Sequence, residues 1–158
     1  MWIAMVLAVG FFAQANPWTT THHYVRGGWD MLVRYDRFTG QVSCSIRTRD
    51  VILVRDTLIF RMGPDAETAN AQFRVDSGPV HSVREVLALD QARGFFPDRG
   101  WIEDPSEAEV AIPSAWASNA KMIWIRANPG VRPRRFRIGG LNYILRSAVG
   151  LGCPVRAI

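Results

Sequence analysis

Along much of its first half this chain changes character at every second residue, and that period leaves few folds open to it. In "DMLVRYD", Met31, Val33 and Tyr35 fall on one side and Arg34 and Asp36 on the other. In "QVSCSIRT", Val42, Cys44 and Ile46 alternate with Ser43, Ser45 and Arg47, and in "AQFRVDSGP", Phe73 and Val75 share a side. A period of two belongs to a half-buried strand, whereas a helix needs apolar residues three and four apart. "WTTTHHYV" and "DVILVRDTLIFRM" add Thr, aromatic and β-branched residues, which suit strands. Turn chemistry separates these runs: Gly27-Gly28, "RFTG", Gly63-Pro64-Asp65 and Ser77-Gly78-Pro79, with Arg55-Asp56 as a turn or bulge inside the longest run.

The pattern changes after Ser77. Ser82 and Glu85 form an S-x-x-E capping box, followed by Val83, Val86, Leu87 and Leu89 on a helical face, so a helix is expected near 82–93, ended by Gly94. "FFPDRGWIEDPSEAE" reads as a loop with a short helical turn, capped by Asp104 with Pro105 at its first position and Glu107 at its third. Pro113 limits that turn. "KMIWIRA" and "RRFRIGG" flank "NPGVRP" as a hairpin. Leu141, Ile144, Leu145 and Ala148 then mark an amphipathic C-terminal helix near 140–149. No repeat or long linker divides the 158 residues, a length that suits one core. The expected fold is α+β: a single domain, mostly antiparallel β sheet or small sandwich, with these two helices.

The first fifteen residues, "MWIAMVLAVGFFAQA", carry no charge and close on Ala13-Gln14-Ala15, the small-x-small pattern of signal peptidase cleavage. Residues 1–15 are therefore read as a signal peptide and 16–158 as a β-rich domain, periplasmic or secreted, without a permanent membrane anchor. The apolar run is too short for a spanning helix. The alternative is a hydrophobic first element of the domain. Export bears on the two cysteines, Cys44 and Cys153, because an oxidising compartment favours bridging. Cys44 sits on the inward side of its strand, and Cys153 follows the C-terminal helix. A disulfide between them is the leading expectation, ahead of two buried thiols. A reactive thiolate needs a polar, electropositive setting, and a metal centre needs more ligands than this pair offers.

The net charge of +5 rests on nineteen cations, all but Lys121 of them arginine. Such a surface favours anionic partners, and guanidinium groups bind phosphate and carboxylate in pairs. The densest cluster is "RPRRFRI". With Phe136 and Ile138 inward, Arg135 and Arg137 project together, and Lys121, Arg126, Arg132 and Arg134 complete a candidate anion-binding patch. The competing reading is a solvated strand face or edge charges that block aggregation. No G-x-G-x-x-G, Walker lysine or G-x-S-x-G elbow is present. His22 and His23 are strand neighbours on opposite faces, which prevents shared chelation. Glu103, Asp104, Glu107 and Glu109 suit a helix N-terminus better than a calcium loop. Trp101, Trp116 and Trp124 serve either a sugar-binding surface or a core. No catalytic residue, metal site or cofactor is expected.

Four segments together, the leader "AVGFFAQA", the cysteine strand "QVSCSIRT", the strand "FRVDSG", and "RRFRIGGLNYILRSA" with a cysteine soon after, resemble the invasion-associated locus B family of small exported bacterial proteins. The resemblance implies a secreted or periplasmic, disulfide-bonded, β-rich domain without a catalytic role. It carries over no functional residues, and the single cysteine pair and arginine-heavy surface depart from the family. The function expected is that of a non-enzymatic exported envelope protein that binds a protein partner or an anionic envelope component through its arginine face. The alternative is a small periplasmic hydrolase or carbohydrate-active protein using an Asp/His or Glu pair assembled by folding. Export would exclude a cytoplasmic nucleic-acid role.

Overall fold

The computed structural model describes residues 18–92 and 108–155, and the backbone alone for 90–92. The expected leader, the end of the first helix at Gly94 and the turn at Asp104–Pro105 lie outside the described residues. The elements are β1 (Thr19–Arg26), β2 (Trp29–Asp36), β3 (Val42–Arg47), β4 (Val51–Val54), β5 (Thr57–Gly63), β6 (Gln72–Val75), β7 (Val80–Ser82), α1 (Val83–Ala92), β8 (Ala108–Pro113), β9 (Met122–Arg126), β10 (Arg134–Arg137) and α2 (Leu141–Gly150). A 3₁₀ turn, Ser114–Trp116, follows β8.

The strands form two antiparallel sheets, one of six strands in the order β1-β2-β3-β4-β5-β8 and one of four in the order β10-β9-β6-β7. The domain is the α+β small sandwich expected. Each predicted hairpin closes where its turn residues stand. Gly27 and Gly28, at φ 61° and 86°, make the two-residue turn that pairs Arg26 with Trp29. Asp36 closes the next loop: one carboxylate oxygen accepts the backbone N–H of Phe38 at 2.8 Å and of Thr39 at 3.3 Å. Those two amides, with the Thr39 hydroxyl, hold the Asp36 carboxyl below the usual range.

Register sets the faces. Met31 pairs with Ile46 and Ile46 with Leu53, Leu53 with Leu58, and Leu58 with Ile112, a continuous inward row across the large sheet. On the other sheet Phe73, Ile123, Ile125 and Phe136 point back at it. The rings of Phe60 and Phe136 meet edge to face at 5.1 Å across the gap. The contacts across the gap fall at β5, where Phe60 meets Phe136 and the Arg61 carbonyl accepts from Arg134. Over β2 and β3 the cover is α2, which buries Leu141, Ile144, Leu145 and Ala148 as its spacing predicts. Trp29 is fully buried beneath it, and its indole N–H donates to the Ile138 carbonyl at 3.3 Å. Gly27 packs so closely on the entry to α2 that an added Cβ would stand 2.9 Å from the Gly139 carbonyl oxygen.

The cysteines bridge. Cys44 and Cys153 are joined with Cα atoms 5.7 Å apart, 109 residues apart in sequence. The bond ties the exit of α2 to the inward face of β3, where Cys44 sits opposite Val33.

Three details differ from expectation. Residues 108–113, expected to end a short helical turn limited by Pro113, form β8 instead: Val110 and Ile112 alternate inward and the edge of β5 pairs with them. Leu89 is exposed, because α1 rests on its neighbours through Val83 and Val86 instead. Tyr35 is exposed because the outer end of the β1–β2 hairpin runs past the covering layer. At the start of α1 the Ser82 hydroxyl does accept from the Glu85 N–H, at a long 3.5 Å.

Candidate anion-binding face

β10 alternates inward Phe136 with outward Arg135 and Arg137, as the sequence predicts. Pairing with β9 places Arg135 opposite Trp124 and Arg137 opposite Met122. Arg126 follows Trp124 by two positions on β9 and so shares this outer face. β6, on the other side of β9, sets Arg74 opposite Trp124. The guanidinium carbons of Arg74 and Arg135 each lie 5.9 Å from the centre of the Trp124 ring, at the outer range of cation–π attraction. Four arginines, Arg74, Arg126, Arg135 and Arg137, thus surround one half-buried tryptophan.

No strand position on this outer face is acidic: the remaining ones are Met122, Gln72, Val80 and Ser82. Among the described residues none of the four arginines makes a salt bridge. The carboxylate that follows β6 is spent on the backbone. Asp76, in the left-handed conformation at φ 47°, accepts from the N–H of Met122 at 2.9 Å and of Lys121 at 3.2 Å, which fastens the end of β6 to the start of β9. Unpaired guanidinium groups around a flat apolar ring offer bidentate contacts to phosphate, sulfate or carboxylate, with a surface on which a ring can stack.

Folding therefore selects from the predicted patch. Arg126, Arg135 and Arg137 share the face. Arg134 does not: it occupies an inward register position, its guanidinium lies 5.2 Å from the Phe136 ring, and it donates to the Arg61 carbonyl at 2.9 Å, linking the two sheets. Arg132 is exposed in the β9–β10 loop, and Lys121 is exposed just before β9. Arg74 was missed, since it lies far back in sequence and only the β6–β9 pairing delivers it.

On the opposite side of the sandwich, the outer face of the large sheet holds an open depression of about 640 Å³ lined by His23, Asp30, Leu32, Arg34, Ser45 and Arg47, among others. There the His23 Nε2 bonds the Asp30 carboxylate, the one Asp/His pair among the described residues. Both side chains are about half exposed, and no serine hydroxyl bonds to the ring. His22 projects from the other face of β1, and His81 packs against Phe73 and Trp116. No group of three metal-ligating side chains and no helix long and apolar enough to cross a membrane occurs among the described residues. Neither a family model, nor a curated protein, nor a solved structure matches this chain.

Proposed function

We propose that this is an exported, non-enzymatic envelope protein that binds an anionic envelope component through the outer face of its four-stranded sheet. The observation that carries the reading is the set of four arginines around Trp124, none of which makes a salt bridge among the described residues, on a face with no acidic position on its described strands. The Cys44–Cys153 bond supports an oxidising compartment, and the charge-free leader and the resemblance to the invasion-associated locus B family support the same compartment. The hydrolase alternative has the His23–Asp30 pair in its favour. Against it stands the exposure of the pair: both side chains are about half exposed, so the site does not exclude water from a reacting group.

Binding to heparin and to lipopolysaccharide tests the assignment. Changing Arg74, Arg135 and Arg137 to Ser removes three exposed charge-assisted contacts, together about 1–3 kcal/mol, which weakens binding about 5- to 150-fold. The control removes the same charge from the other side, through Arg34, Arg47 and Arg49 to Ser. Equal loss in both triple variants would mean that net charge alone attracts the ligand, and would overturn the face assignment.

A further inference from the structure

We infer that β1 is a dimerisation edge at which a second copy of this chain adds its own β1 antiparallel, joining two six-stranded sheets into one. This inference is independent of the anion-binding reading.

The described sheet edges are unequal. β7 is three residues long, β10 carries three arginines in four residues, and β8 bears Glu109, meets a register shift at Arg61/Gly63 and ends at Pro113. Short length, charge, irregularity and proline are the means by which proteins keep edges from pairing. β1 has none of these. It is eight residues of Thr, His, Tyr and Val with one charge, Arg26, at its end, and every residue but Thr20 is exposed. Exposed large apolar side chains also gather here: Trp18, Tyr24, Val25, Tyr35 and Phe38 belong to the β1–β2 hairpin or its flanks, and Tyr143 of α2 lies under the Arg26 guanidinium at 3.7 Å.

The backbone fixes which groups are free. The two-residue turn makes Arg26 and Trp29 a hydrogen-bonded pair, and at the far end the Arg37 N–H donates to the Trp18 carbonyl at 2.7 Å. Even-numbered residues of β1 therefore bond to β2, and Thr19, Thr21, His23 and Val25 turn their N–H and C=O groups outward. That row is self-complementary. A two-fold axis perpendicular to the sheet keeps inner face beside inner face, so opposite residues must both be even or both odd. Centred on His22, it pairs Thr19 with Val25 of the second copy and Thr21 with His23 of the second copy, using all four outward residues of each chain. Centred on His23, it would use only three. Antiparallel pairing also carries the two Arg26 side chains to opposite ends, so no like charges meet. A different extended peptide on this edge is the competing occupant. The same axis sets both Trp124 faces on one side of the dimer.

Sedimentation velocity on the disulfide-bonded chain, over a wide concentration series, reads the association. The expected result is a monomer–dimer equilibrium that Thr21→Pro abolishes, since proline removes an outward N–H while leaving the β2 bonds intact. Circular dichroism checks that this variant is folded. Single-cysteine variants, which leave every backbone N–H of the hairpin in place, provide a second route. In the dimer His22 faces His22 of the second copy as a non-hydrogen-bonded pair, about 4.5 Å between Cα atoms, within reach of a disulfide. His22→Cys should therefore yield a reducible, cross-linked dimer, and His23→Cys far less. A monomer at all concentrations up to about 1 mM, or a dimer unaffected by Thr21→Pro, overturns the inference. Cross-linking at His23→Cys in preference to His22→Cys overturns the register.

Discussion

Replacing both cysteines, Cys44→Ala with Cys153→Ala, gives the sharpest test of what stabilises this fold. The bond closes a loop with a sequence separation of 109 residues. In the chain-entropy treatment a loop of that length restricts the unfolded chain by about 16 cal/mol/K, or about 4.8 kcal/mol at 25 °C. Packing adds little to this. Cys153 is buried but small, and alanine keeps most of its apolar contact. The expected loss is thus about 4–5 kcal/mol, out of the 5–15 kcal/mol typical of whole domains, and a melting temperature lower by roughly 10–20 °C. Because the effect lies in the unfolded state, the tryptophan bands in the near-UV circular dichroism of the native protein should not change. The urea m value should rise, since an unlinked chain exposes more surface on unfolding. Equilibrium urea unfolding of both forms measures the free-energy loss and the m value, and thermal melts measure the melting temperature. A loss below about 1 kcal/mol with an unchanged m value would refute the argument and place the stabilisation in native packing.

Two turns supply further tests. Gly27→Ala forces a Cβ to 2.9 Å from the Gly139 carbonyl oxygen at φ 61°, so it should cost about 2–4 kcal/mol, whereas Gly40→Ala, at φ 70° in open space, should cost only about 1 kcal/mol; equal losses in thermal melts would show that the close approach is not felt. Asp36 titrates below the usual carboxylate range, chiefly through the Phe38 N–H. Its contribution is therefore present above about pH 4 and lost as pH falls through the depressed value. The stability gap between the native protein and Asp36→Asn should close in that acid window, and carboxyl NMR placing Asp36 at or above the ordinary range would contradict it.

The hairpins were legible because period-two alternation and turn residues are local, and because α2 kept its spacing over a full face. The Cys44–Cys153 bond was legible from three signals together: a single cysteine pair, a leader that reads as an export signal, and alternation that set Cys44 inward. β8 was hidden, since its identity comes from pairing with β5 and not from its own acidic, proline-bounded sequence. The arginine cluster shows the limit most clearly. Proximity in sequence grouped Arg132 and Arg134 with Arg135, yet the pleat sends Arg134 toward the Arg61 carbonyl. It also hid Arg74, which reaches Trp124 only through the partner strand.

The disulfide also determines how the domain would bear a mechanical load. A pull applied at Trp18 and Val155 runs along the chain to Cys44, crosses the sulfur bond, and leaves through Cys153, so everything from β4 through α2 lies on a slack loop outside the line of force. Only β1, β2 and the first part of β3 can be drawn out, a gain in length of at most about 90 Å at the reach of an extended chain. The strands that carry the Trp124 face sit within the protected loop, so a tethered molecule would lose its hairpin under tension and keep the surface proposed to bind.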